Sequence, residues 1–407
     1  MRVRHSVLAG IACTLVAGCL TPVDPGNVPI AEVRVTLGER ALTLDTIAVR
    51  RTARVNAVAV AREGYQLPVT DFRYASSNGA VALVDSLGIV LGVASGTATI
   101  TATAPDGTLG AATIVVVPSS VDYSIDVGGA PGAIAFSPDY TKAYVAVAGG
   151  SVAFIDALGF LRTSSLPLGD DIGGLAATSS LLYVTHPAAN AVSIVSTATH
   201  DVEARVPLAG TPTAAVASGT RAWVTERTGR AIVVFDAAET TSSFSVLGDP
   251  TQIALSADGT RLYVSVLDNG VWNLAVFDAT TGVQQGRLAL PGEPVGIGVG
   301  TIGDGVERVF VAIPSARTLL ELSIVRGQPT VEHSVAIPEG AGGVGARSGA
   351  TPVVVVSGSP LEIYDSTTLD LADTIDSGGT GPVAIRPDGL FVFVGGGSSG
   401  LVRVIGL

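Results

Sequence analysis

The sequence predicts an all-β protein, a β-sandwich followed by a seven-bladed β-propeller closed by an N-terminal outer strand. Three observations carry this reading. The 407 residues include 50 Gly and only 14% charged side chains, a composition that favours short strands and tight turns over amphipathic helices. Residues 30–117 alternate apolar and polar side chains in short runs broken by turn residues, the period of half-buried strands. Residues 121–407 repeat an aromatic-plus-valine strand at intervals of about 40 residues, the length of a four-stranded propeller blade.

Residues 1–18 read as an export signal: Arg2 and Arg4 precede an apolar run over 7–16, and the small residues Ala17 and Gly18 follow. Leu15-Val16-Ala17-Gly18-Cys19 resembles the bacterial lipobox, which implies cleavage before Cys19 and acylation of that residue. Cys13 would leave with the signal, so Cys19 would be the one remaining thiol, and an internal disulfide is excluded. Each lipid CH2 adds about 0.8 kcal/mol of membrane affinity, so the expected location is extracytoplasmic, lipid-anchored to the cell membrane or outer membrane. Residues 19–29, rich in Pro and Gly, read as a flexible tether. Beyond the signal no apolar run approaches the roughly 18 residues of a spanning helix. A net charge of −12 repels phosphate backbones and argues against a nucleic-acid partner.

The sandwich is expected over 30–117, with strands such as VRVTL at 33–37, ARVNAVAV at 53–60 and TATITAT at 97–103. Between them, FRYASSNGAVALVDSLGIVLGVASGTATITAT resembles the bacterial immunoglobulin-like domains of invasin and intimin type. The resemblance rests on an aromatic ahead of Ser-Ser-Asn, then Ala-x-Val-Asp, Gly-x-Val and Gly-Thr-Ala-x-Ile. Tyr74 stands where that family commonly carries Trp. The resemblance implies a surface spacer or adhesion module.

The propeller is expected over 121–407. Its marker aromatics are Tyr144, Tyr183, Trp223, Tyr263, Phe310 and Phe393, separated by 39, 40, 40, 47 and 83 residues. The last gap spans two units, with Val353-Val354-Val355-Val356 as the degenerate strand between, which makes seven units. Each unit has a Gly-x-Pro or Gly-rich lead-in, an inner apolar strand, the aromatic strand, a third strand often ending at Asp, and an outer strand. The last unit stops after its third strand, and residues 121–127 look like an orphan fourth strand that would complete it and remove the exposed sheet edges. Asp258 in Ser256-Ala257-Asp258-Gly259, with Asp139 and Asp388 at the equivalent place, reads as a turn cap and not as a ligand. The repeated Gly-x-Pro, Ile-Ala, Ser-Pro-Asp-Gly, Leu-Tyr-Val and Val-Phe-Asp-x-x-Thr-Gly resemble the YncE and surface-layer type of seven-bladed propeller. That resemblance implies a fold and leaves function to be argued from a site.

In such a fold the turns after second strands and after outer strands gather on one face. Candidate ligand-face residues there are His186, Asn190, Glu226, Arg227, Arg230, Asp268, Asn269, Trp272 and Arg317. Trp272, flanked by acid and amide groups, suits stacking against a sugar or a peptide side chain; the competing reading is a set of solvated loop residues. Gly396-Gly397-Ser398-Ser399-Gly400 satisfies an esterase pattern but lies between two strands, without the strand-to-helix elbow or His partner that chemistry needs. Gly296-Ile297-Gly298-Val299-Gly300 lacks the helix of a dinucleotide site. None of His5, His186, His200 and His333 has a second ligand at metal spacing, and no calcium loop is recognisable.

No catalytic residue, metal or cofactor is therefore assigned. The expected function is a noncatalytic binding or scaffold module at the cell surface, held to the membrane by its lipid and facing a protein or a cell-wall or glycan ligand. The alternative class is a lactonase-like propeller hydrolase using a channel-mouth carboxylate, His or metal, a reading that Glu226, His186 and Asp268 converging there, directly or through one metal, would favour.

Overall fold

Alternation and turn chemistry produce sheets throughout. The computed structural model describes residues 28–37, 44–49, 51–94, 96–117, 121–169, 171–237, 239–302, 305–347 and 353–407; the signal segment and Cys19 lie outside these. Among the described residues every regular element is a strand, apart from single 3-10 turns at Pro314–Ala316 and Gly397–Ser399.

The first unit is two packed sheets. Glu32–Leu37, Thr52–Val60, Ile89–Gly92 and Ala82–Val84 pair in that order, with Gln66–Leu67 added to Thr52–Val60; Leu44–Ala48, Leu109–Val117, Gly96–Thr103 and Arg73–Ser76 form the other sheet. Pairing is antiparallel except between Leu44–Ala48 and Leu109–Val117. Period two sets the core: Ala98, Ile100 and Ala102 of one sheet are buried in a single cluster with Val55, Ala59 and Val90 of the other. Tyr74 packs at the edge of this cluster, and burial raises the pKa of its hydroxyl.

Residues 123–406 hold seven four-stranded sheets. Six are simple meanders whose first strands are Pro131–Phe136, Leu175–Ala177, Pro212–Ser218, Asp249–Leu255, Gly296–Thr301 and Gly343–Arg347. The seventh combines Val383–Ile385, Phe391–Gly395 and Leu401–Gly406 with Tyr123–Asp126, which runs antiparallel to Leu401–Gly406 with Ser124 opposite Arg403. Backbone bonds from Asp122 to Val404 and from Val127 to Gly400, both 2.9 Å, extend that pairing by a residue at each end. Tyr144, Tyr183, Trp223, Tyr263, Phe310 and Phe393 all lie in second strands and are all buried.

A recurring bond ties neighbouring sheets together. The residue just past the third strand donates its N–H back to the first turn of its own sheet, as Ala157 does to Thr141, Thr197 to Ser180, Ala237 to Thr220 and Ala279 to Thr260. That fixes its carbonyl to face the preceding sheet, which supplies a donor. Tyr183 Oη reaches Ala237 at 2.5 Å, Trp223 Nε1 reaches Ala279 at 3.0 Å, and Lys142 Nζ reaches Thr197 at 2.7 Å. Phe393 has no polar tip, and in its sheet the buried Arg386 takes over, donating to Ala157 at 2.6 Å across the junction of the seventh and first sheets. Its guanidinium pairs with Asp388 at 2.7 Å and lies 4.5 Å from the ring centre of Phe391. Phe160 of the first sheet packs on Phe391 at 4.8 Å and on Tyr123 at 4.4 Å. The two units of the chain meet beside this junction: Arg51 pairs with Asp122 at 2.6 Å, and the same Asp122 oxygen accepts the Gly406 N–H at 2.7 Å.

The turns between first and second strands follow the sequence reading. Asp258 Oδ1 accepts from Ser256 Oγ at 2.6 Å, Thr260 Oγ1 at 2.7 Å and Thr260 N at 3.0 Å, while Gly259 supplies a φ of 71°. These donors, the Ser256 hydroxyl first, hold the Asp258 carboxyl down at about 2. A carboxylate depressed below its unfolded value of about 3.9 contributes stability that is complete above that pH and is lost as the pH falls toward 2. Asp258→Ala should therefore cost about 1 kcal/mol in urea unfolding at pH 7, solvent exposure keeping the figure small. The gap from the parent should close between about pH 4 and pH 2, and a gap independent of pH would refute this account of the turn.

Candidate functional site

The first strands of all seven sheets border one cavity of about 390 Å3. Ala133, Ala214, Ile253, Val295, Val344 and Val383 are among its lining residues, one from each sheet except the second, which contributes Gly173, Gly174 and Leu175. Gln252 is the one polar side chain lining it, so what the cavity offers a ligand is mostly backbone N–H and C=O. Among the described residues that line it, none is titratable. Sequence reading passed over Gln252; the available signal was a lone amide inside an otherwise apolar inner strand.

The nine candidate face residues come from sheets two to five, at the turns between second and third strands or at the strand ends beside them. His186 and Glu226 end second strands and are buried, not exposed as loop residues would be. His186 Nε2 lies 2.8 Å from Ser193 Oγ of the adjacent strand. Glu226 accepts the Gly210 N–H that leads into its own sheet. Asp268 pairs with Arg287 at 3.0 Å and accepts from Asn269 at 3.0 Å, again within one sheet. Trp272 is half-buried and packs on the cluster formed by the fourth and fifth sheets, which leaves less of its ring open than a free stacking platform would have.

Asn190, Arg230 and Arg317 occupy one equivalent turn position with φ of 47°, 50° and 48°, and Asn269 adopts 49° in the neighbouring turn. Their left-handed backbone presents a carbonyl to the residue past the fourth strand: Leu208 bonds to Asn190, Val246 to Arg230 and Ile337 to Arg317. Gly150 and Gly400 fill the same role toward Leu168 and Val127. These positions are punctuation first. Asn tolerates the conformation, but Arg pays roughly 1–2 kcal/mol for it. Arg230 recovers part of that through Asp249 at 2.9 Å; Arg227 and Arg317 are exposed. Among the described residues no group of three or more His, Cys, Asp or Glu is placed to share a metal ion.

Comparison with known proteins agrees with this architecture. Residues 51–115 match the bacterial Ig-like domain (group 2) family. A search of curated proteins gives no match. Among solved structures, Kuenenia stuttgartiensis hydrazine synthase aligns with a TM-score of 0.59 and 19% identity over 68% of this chain and 96% of that one. The Myceliophteria thermophila Cps50 (Swd1) β-propeller domain aligns with a TM-score of 0.59 and 13% identity over 71% of this chain and 100% of that domain. At these identities the likeness is one of fold. The chain thus carries a bacterial Ig-like domain and has β-propeller structural neighbours.

If Glu226 is a structural acceptor, Glu226→Ala should cost about 1–3 kcal/mol by orphaning the Gly210 N–H, and Glu226→Gln, which keeps an acceptor, far less. Arg317→Gly should raise stability by up to about 1 kcal/mol by removing left-handed strain. Thermal unfolding reads all three, and a stabilising Glu226→Ala would contradict the assignment.

Proposed function

We propose that residues 121–407 form a closed seven-bladed propeller of YncE and surface-layer type, completed by the strand Tyr123–Asp126, and that the chain is a noncatalytic, membrane-anchored lipoprotein. In this reading Cys19 carries the lipid, residues 19–29 are the tether, the Ig-like domain over 30–117 spaces the propeller from the membrane, and the propeller presents a binding or scaffold face. The pairing of Tyr123–Asp126 with Leu401–Gly406 and the single cavity bordered by all seven first strands support the ring.

The observation that carries the noncatalytic reading is the chemistry of the centre: apolar side chains, backbone groups and Gln252 suit recognition and supply no general acid, base or nucleophile. A lactonase-like enzyme needs titratable groups converging on one point. The partners of Glu226 and Asp268 instead hold each within its own sheet. Exposed Arg227 and Arg317, together with Trp272, are the side chains best suited to a cell-wall or glycan ligand.

Two measurements on the full chain test the proposal. Mass spectrometry of the parent should find acyl chains on the peptide beginning at Cys19, and Cys19→Ser should move the protein from the membrane to the soluble fraction; an unacylated parent that still sediments with membranes removes the anchor. On isolated cell-wall polysaccharide, Arg227→Ala and Trp272→Ala should each weaken binding about tenfold, the scale of one charge-assisted bond or one stacked ring. Unchanged binding in both would remove this face.

A further inference from the structure

Lys142 is the one lysine in the sequence. It opens the second strand of the first sheet, Lys142–Val147, and spends one ammonium N–H on the bond to Thr197. The second and third sheets make the equivalent bond with the uncharged donors Tyr183 and Trp223, and the seventh neutralises Arg386 with Asp388. A bond of this kind needs no net charge. Among the described residues no carboxylate lies within ion-pair distance of the Lys142 ammonium, and two of its three N–H groups remain beyond the bond to Thr197. Asp156, opposite Lys142 across the strands, commits Oδ1 to the N–H groups of Leu158 and Gly159 at 2.9 and 3.0 Å.

Lys142 borders a cavity of about 260 Å3 together with Thr141, Phe154, Ile155, Asp156 and His200. His200 holds a φ of 65° at the turn position that Gly282 takes in the fourth sheet, a conformation costing roughly 1–2 kcal/mol. That backbone lays the imidazole on the Phe154 ring at 3.9 Å, with Nδ1 at 3.0 Å from Ser164 Oγ. Burial first, and then the charge of Lys142, push the His200 pKa below its ordinary value, so the ring is an uncharged wall at neutral pH. The cavity therefore combines an aromatic and aliphatic wall with a cation that forms no ion pair, and Thr141, Thr163 and the Asp156 carboxylate complete its border.

We propose that this cavity binds a small organic anion, its carboxylate on the Lys142 ammonium and its apolar body against Ile155, Phe154 and His200. The volume falls below the roughly 300–1,000 Å3 typical of drug-sized ligands, which restricts the occupant to a compact metabolite. The cavity lies beside the turns that follow first and third strands, on the side opposite the face residues, so it stands or falls independently of the surface reading.

The single lysine makes the test direct. Reductive 13C-methylation of the full chain retains the charge and yields one lysine dimethylammonium resonance, assigned by its loss in Lys142→Met. Benzoate should shift that resonance saturably with a midpoint near about 1 mM, and benzyl alcohol, the same ring without the charge, should not. By calorimetry on unmethylated protein, Lys142→Met should weaken benzoate binding about tenfold or more, while Lys142→Arg, which keeps cation and donor, should stay within about threefold of the parent. A shift that does not saturate, an equal response to benzyl alcohol, or parent-like benzoate binding by Lys142→Met would overturn the proposal and leave Lys142 as a tie between sheets alone.

Discussion

The carbonyl just past the third strand, in each of the first four sheets, is the contact on which the side-by-side order of those sheets depends. Sheets packed side by side meet mostly through apolar side chains, and apolar contact does not fix how far one sheet slides on the next. A hydrogen bond does. Ala157, Thr197, Ala237 and Ala279 each turn a carbonyl toward the preceding sheet, and Arg386, Lys142, Tyr183 and Trp223 answer it. Each donor is wholly or partly buried, so losing one would leave a desolvated acceptor behind. The junction of the seventh and first sheets receives the most elaborate version, with a buried cation, its carboxylate and a cluster of aromatic rings. The two ends of the repeat region meet just beside it, inside the seventh sheet, where Tyr123–Asp126 pairs with Leu401–Gly406 without covalent continuity before the chain runs on into the first sheet.

This contact explains part of why the architecture was legible in the sequence. A donor that crosses to the next sheet from a buried strand has to be long, largely apolar and polar-tipped, which Tyr183 and Trp223 are. Tyr144, Tyr263, Phe310 and Phe393 hold the same strand position as buried rings without making that bond, so burial in the second strand is what keeps the aromatic near every fortieth residue. Where the period failed, the aromatic had moved: the second strand of the sixth sheet is Val353–Ser357, and Tyr364 on the adjacent third strand, opposite Val354, reaches Ala336 instead. The Asp-Gly turns were legible for a similar reason, since one carboxylate satisfies several local donors and Gly tolerates the left-handed residue that follows. Tyr140 holds that position after Asp139 with a φ of 54°, an exception that local sequence gives no reason to expect.

The site was less legible. Loop position suggested that His186, Glu226 and Asp268 point to solvent, yet His186 and Glu226 are buried and Asp268 is half-covered by Arg287. Partners such as Ser193, Gly210 and Arg287 lie 7 to 19 residues away, on adjacent strands or lead-in turns, and pairing across a sheet leaves no local spacing to read. Asn190, Arg230 and Arg317 share a spacing, but it reflects the turn and not a ligand. Lys142 and His200 come together only because adjacent sheets pack side by side, and their separation of more than one repeat hides the cavity from sequence inspection.

The proposed ring depends most heavily on the strand Tyr123–Asp126, which joins the beginning of the repeat region to its end. Ser124 and Arg403 sit directly opposite in that pairing, close enough in an antiparallel ladder for a disulfide after Ser124→Cys and Arg403→Cys. Oxidation should give an intramolecular crosslink, detected as a joined peptide and as faster migration without reductant, while Ser124→Cys with Arg347→Cys should not crosslink. Failure of the first pair to join in folded protein, or equal joining of the second, would contradict the proposed ring.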